Sequence, residues 1–222
     1  MRLRHSVQKH DVAVVGLGRF GSALALELVY AGYSVLGIDK SPAVVQSLAN
    51  KLPHVVATDP TNPDTLEDLG IPDFSRVVVA IGNDLASSIL VTSALLKMNG
   101  PEVWAKASTP QQGQILEQMG VNHIFYPETD MGRRAAHIVA QSFNDYVELG
   151  YGYALVSTTV NEAMTGMQLS ELGLRRSKGI SIIAVKGPND HWVNAYAETI
   201  LAPGDEILAV GPTKTIGFIV AD

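Results

Sequence analysis

Gly16-Leu17-Gly18-Arg19-Phe20-Gly21 directly follows the apolar run Val12 to Val15, and a carboxylate, Asp39, stands twenty-one residues after Gly18. That combination suits a nucleotide. The first glycine permits a tight turn and the second lets backbone approach a phosphate. The third lets helix and strand pack closely, while the helix N-terminus offers free N–H groups and a positive dipole. Asp39, at the end of the second expected strand, can accept both ribose hydroxyls and would repel a 2′-phosphate, so NADP is disfavoured. Arg19 lies inside the phosphate loop, where a guanidinium fork suits more than two phosphates; the other reading is a solvated arginine at a helix start.

Further candidates fall on loops after successive strands. Lys40 and Ser41 follow Asp39, Asp59-Pro60-Thr61 follows the third strand, and Ile81-Gly82-Asn83 follows the fourth. Ligands of this fold bind at the carboxyl ends of strands, although such loops are also ordinary turns. Lys106 ends the fifth strand and Glu128 follows the sixth at Tyr126-Pro127-Glu128. A carboxylate aimed at a polyphosphate repels it, so an inward Glu128 implies a bound cation with oxygen ligands. On the residues alone, an acid favoured by the helix dipole is the stronger reading of Glu128.

The elements that would position these residues alternate. Strands are expected at about 12–16, 34–38, 54–58, 76–81, 103–107 and 122–126, with helices near 20–31, 42–51, 63–70, 84–98 and 110–119. Alternation of this kind makes an α/β, doubly wound parallel sheet of Rossmann type. Asp130 to Tyr146 then reads as one long helix, with Ala135, Ile138, Val139, Ser142, Phe143 and Tyr146 on an apolar face. Beyond Gly150 the pattern changes to a small α+β lobe: strands at 153–160, 180–185 and 206–210, a short helix at 168–172 and a helical stub from Thr213. The expected division is 1–128 for the nucleotide domain, 129–149 for a linking helix and 150–222 for the second domain.

The chain has 222 residues and a net charge of −6, which gives no support to a nucleic-acid surface. It contains no cysteine, which removes disulfides, thiolate metal sites and thiol nucleophiles. The basic start, Met1 to His10, lacks the apolar core of a targeting signal, and no apolar run approaches the ~20 residues that span a bilayer. Any membrane role must therefore act through a partner.

With these residues in place, the sequence resembles the RCK family (regulator of conductance of potassium), in particular the cytosolic KtrA/TrkA-type subunits of bacterial potassium transporters. The likeness runs from Val12 through Gly21, then Val78 to Gly82, Val103-Trp104-Ala105-Lys106 and Pro127 to Gly132, into the C-terminal segment. It implies a nucleotide-binding, non-enzymatic lobe for ATP, ADP or NAD(H), with the ATP/ADP branch favoured. Arg19 would reach the terminal phosphates, Asp39 the ribose, Asp59 to Thr61 and Ile81 to Asn83 the adenine, and Lys106 the phosphates. Glu128 would be the ligand of a divalent cation such as Mg2+ or Ca2+ beside ATP. The resemblance further implies a homodimer joined by the long helix and assembled into an octameric ring. That ring would lie at the inner face of the cell membrane, beneath a membrane-embedded transporter dimer. In some relatives the second lobe binds cyclic di-AMP; Arg175 and Arg176 are the candidate contacts, with plain dimerisation as the alternative. Pro60 and the 187–196 segment depart from the family pattern.

The rival reading is an NAD-dependent oxidoreductase, the commonest use of this fold. The small second lobe contains one histidine, His191, and no acid/base constellation. A free-standing nucleotide sensor shares every site residue and differs only in its partner.

Overall fold

In the computed structural model the described residues are 11–141, 143–187 and 190–220. The start of the chain, Ser142 of the expected apolar helix face, and residues 188–189 of the 187–196 segment lie outside them. The chain divides into two compact units after Glu128.

The first unit alternates β1 (Asp11–Val15), α1 (Arg19–Tyr30), β2 (Ser34–Asp39), α2 (Pro42–Leu48), β3 (His54–Ala57), α3 (Pro63–Asp68), β4 (Arg76–Val79), α4 (Leu85–Lys97), β5 (Glu102–Lys106), α5 (Pro110–Gln118) and β6 (His123–Phe125). Helix starts are written into the sequence by one device. Ser41, Asn62 and Thr109 each accept a hydrogen bond from the first turn, with proline following at the first helical positions. A short polar side chain satisfies an orphan N–H there, and proline forfeits only a donor the helix does not use.

The strands form one six-stranded sheet in the order β3-β2-β1-β4-β5-β6, and every pairing is parallel. Successive side chains point to opposite faces. Val12 and Val14 pack with Ala25 and Leu48, whereas Ala13 and Val15 pack with Leu66, Val91, Leu95 and Leu116. Both faces are therefore covered, as a parallel sheet requires. The order reverses between β1 and β4, where a crevice opens at the carboxyl ends of the strands.

Helix α6 (Pro127–Gln141) follows, and it is shorter than its periodicity suggests. Strand β7 (Asp145–Gly150) already pairs with β8 (Tyr153–Thr159), so Tyr146 is in a strand and the expected helix to Tyr146 is corrected. Residues 145–149 thereby belong to the second sheet and not to a linking helix. Phe143 and Tyr146 are buried in the core of this unit, while Val139, expected on the same apolar face, is 83% exposed.

The second unit continues with α7 (Leu169–Leu172), α8 (Leu174–Ser177), β9 (Ser181–Lys186), β10 (Val193–Asn194) and β11 (Glu206–Pro212). Its five-stranded sheet has the order β10-β9-β11-β8-β7 and is antiparallel throughout. Alternation is clear on β11, where Ile207 and Ala209 enter the core, and Glu206 and Leu208 line the opposite face. On that face Glu206 accepts hydrogen bonds from Ser157 Oγ, Asn144 Nδ2 (3.2 Å) and Lys186 Nζ (2.6 Å). Lys186 Nζ in turn lies 5.2 Å from the centre of the Trp192 ring.

A candidate nucleotide groove at the sheet reversal

The groove lies in the first unit, has a volume of about 330 Å3, and is bounded by the loops after β1, β2, β3 and β4 with Lys106 and Glu128. Gly16 sits at φ +92°, and a Cβ there would meet Ile81 Cγ1 at 3.0 Å. A side chain is excluded by both strain and space. At Gly21 a Cβ would fall 1.9 Å from the Gly16 carbonyl oxygen, so this glycine lets α1 close onto its own loop. Gly18 differs, because a Cβ there would meet nothing within 4 Å. Its open side is the groove itself.

Asp39 is held from two directions, one oxygen accepting the Leu17 N–H at 2.7 Å and the other the Ser41 N–H at 2.8 Å. The carboxylate therefore keeps a fixed orientation with lone pairs to spare. Lys40 Nζ stands 3.5 Å from Asp84 Oδ2. Asp59 accepts both the backbone N–H and the hydroxyl of Thr61, at 2.9 and 2.8 Å, which hold its pKa below the usual carboxylate range. Asp84 caps α4 in the same manner, accepting the Ser87 N–H at 3.0 Å and its hydroxyl at 2.7 Å, and is likewise held down.

At the other cluster, the buried Lys106 donates to Glu128 Oε1 at 2.6 Å, and Glu128 is 60% exposed. The Lys106 hydrogen bond lowers the Glu128 pKa, with the charges of Lys106 and Arg19 adding to it. Lys106 Nζ lies 5.9 Å from the centre of the Phe20 ring and so close beneath Gly82 that a Cβ on Gly82 would sit 2.8 Å from it. Phe20 also begins an aromatic series: Phe125 at 5.9 Å, Trp104 at a further 5.3 Å, and His123 stacked on Trp104 at 3.8 Å.

The groove thus gathers Gly16, Gly18, Arg19, Phe20, Asp39, Lys40, Asp59, Pro60, Thr61, Ile81, Gly82, Asn83, Lys106 and Glu128. Gly21 and Ser41 do not line it; one packs the helix and the other caps α2. Asp84 and Ser87 line it without having been singled out in the sequence, where the signal available was the helix cap, an Asp before a helix with Ser three residues on. The lone Glu128 carboxylate has Lys106 as its partner, and no group of three or more His, Cys, Asp or Glu among the described residues forms a metal cluster. A cation at Glu128 would therefore take its remaining oxygens from phosphates and water, which suits a hard ion such as Mg2+. Arg175 and Arg176 lie in the second unit on the four-residue α8, both exposed, with Arg175 Nε donating to Ser181 Oγ at 3.0 Å.

The TrkA-N domain matches residues 12–127 and the TrkA-C domain residues 153–217. The chain belongs to the RCK family. Ktr system potassium uptake protein C of Bacillus subtilis is 33% identical to it over 209 residues, covering 94% of this chain and 95% of its own. Ktr system potassium uptake protein A of Vibrio alginolyticus is 33% identical over 201 residues, covering 90% and 91%. A crystal structure of the GsuK RCK domain superimposes with a TM-score of 0.67 at 16% identity, covering 97% of this chain and 48% of that one. Structures of the same channel exist bound to NAD (TM-score 0.50, 23% identical, covering 95% and 38%) and bound to ADP (TM-score 0.51, 16% identical, covering 62% and 38%). At these identities the structural likeness shows the RCK fold. Among the described residues, no helix of this RCK chain is long and apolar enough to cross a membrane.

Proposed function

We propose that the chain is a nucleotide-binding, non-enzymatic regulatory subunit of a Ktr-type potassium uptake system, in which ATP and ADP in the groove set the state of a membrane-embedded transporter dimer. The observation that carries this is the division of charge along the groove: Arg19 and Lys106 beside the phosphate loop, and the fixed Asp39 carboxylate at the ribose position. The open cradle at Gly18 supports it, since a side chain there would fill space that the protein itself leaves to a ligand. The uptake role comes from the relatives, which are potassium uptake proteins aligned over nearly their whole length. NAD and ADP on the GsuK channel support an adenine nucleotide as the ligand class.

ATP differs from ADP by a third phosphate within reach of Arg19 and of a divalent cation at Glu128. Only such differential contacts shift a conformational equilibrium. Homodimers joined through α6 and assembled into an octameric ring would sum that bias beneath the membrane, on its inner face. Arg175 and Arg176 are the residues offered to cyclic di-AMP in the second lobe. The test is calorimetric titration with ATP, ADP, NADH and NADPH, each with and without Mg2+, on the wild type and on Glu128→Gln. Cation-strengthened ATP binding that is lost in the variant supports the reading. Binding of NADH alone, indifferent to cation, removes the roles of Arg19 and Glu128 and moves an NAD-binding or oxidoreductase reading ahead.

A further inference from the structure

The groove is electrically polar. Lys40, Asp59 and Asp84 form one mutually interacting cluster, with Asp39 adjacent to Lys40 in the chain, whereas Arg19, Lys106 and Glu128 form another. Hydrogen bonds from Thr61 and Ser87 keep Asp59 and Asp84 ionised, so the first cluster sets three carboxylates against one ammonium. Lys40 directly follows the ribose carboxylate, close to where a nearby cation, an arginine, accommodates a ribose 2′-phosphate in NADP-binding members of this fold. Here its ammonium is turned across the mouth of the groove to Asp84, which two donors from Ser87 hold in place.

The geometry points to Asp84 as a specificity-determining residue: by holding the Lys40 ammonium across the groove it withholds that charge from a ribose 2′-phosphate, so the site selects an unphosphorylated ribose. Asp39 supplies the direct repulsion, and Asp84 removes the cation that would offset it. Two residues thus enforce the choice from opposite sides of the groove, one acting on the ligand and one acting through Lys40. The inference rests on the nucleotide reading of the groove.

The test uses the whole chain and two probes that differ only in the 2′-phosphate, adenosine 5′-monophosphate and adenosine 2′,5′-bisphosphate. Asp84→Asn keeps a residue that caps a helix as well as Asp does, so α4 should be preserved. Wild type should prefer the monophosphate. Asp84→Asn should raise the affinity for the bisphosphate relative to that for the monophosphate by about fivefold, the scale of one exposed ion pair. The gain should vanish in Lys40→Gln/Asp84→Asn. A gain shared by both probes, or one that persists without Lys40, overturns the inference and leaves the nucleotide reading intact. Binding of neither probe to the wild type overturns the nucleotide reading itself.

Discussion

Each lobe contains a lysine–glutamate pair at 2.6 Å, and the two pairs are built for different ends. In the second lobe Glu206 also accepts from Ser157 and Asn144, so its oxygens are occupied by groups from β8, β9 and the residue before β7. Its pKa falls to about 2, with the Lys186 hydrogen bond as the largest cause and that of Ser157 next. In the first lobe Glu128 has Lys106 as its side-chain hydrogen-bond partner, and the lysine rather than the glutamate is the buried member. A glutamate saturated by its own sheet is a clasp. One with a single partner at the edge of a groove can exchange that partner for a ligand.

Three substitutions sharpen or break this contrast. Lys106→Met should have the largest effect, weakening ATP and ADP by roughly tenfold to a hundredfold through loss of a charge-assisted contact, with little change in thermal stability. Unchanged affinity in calorimetry would remove Lys106 from the phosphate site. Glu206→Gln should come next, destabilising the folded chain by about 2 kcal/mol at neutral pH once partial exposure is allowed for. The sign follows from a depressed folded pKa. The stabilisation is complete above the ordinary value of 4.5 and is lost as pH falls towards about 2. Denaturant unfolding between these pH values should therefore slope in the wild type and be flatter in the variant; parallel slopes would sink the clasp interpretation. Glu128→Gln should be the mildest for stability, within about 1 kcal/mol, because the substituted carboxylate is 60% exposed although its lysine is buried. If it destabilises as much as Glu206→Gln, the two pairs are alike and the contrast fails.

The first lobe was legible because each of its signals is local. A glycine loop, a cap followed by proline and an apolar run of four or five residues each state their own conformation, and the sheet order follows from their alternation. The end of α6 was not legible, because Phe143 and Tyr146 continue the helical spacing while serving the core of the other sheet. What places Tyr146 in a strand is its pairing with Val156, a contact ten residues away that no helical period can encode. Asn144 and Asp145, which compete with the helix backbone for hydrogen bonds, were the available sign of a stop. In the groove, spacing alone offered candidate residues on the loops after successive strands, and the structure brings most of them to one cavity. That Lys106 pairs with Glu128, or Lys40 with Asp84, depends on loops brought together only by the parallel sheet.

The aromatic series from Phe20 to His123 has an optical consequence. The chain has two tryptophans, one in each lobe. Trp104 is two ring contacts from the phosphate loop, and Trp192 lies beside the Lys186–Glu206 clasp. Indole emission responds to the polarity and charge around the ring, so the single-tryptophan chains Trp104→Phe and Trp192→Phe would each leave one native indole. The chain thereby carries an intrinsic label in each lobe, one read against occupancy of the groove and the other against integrity of the second sheet.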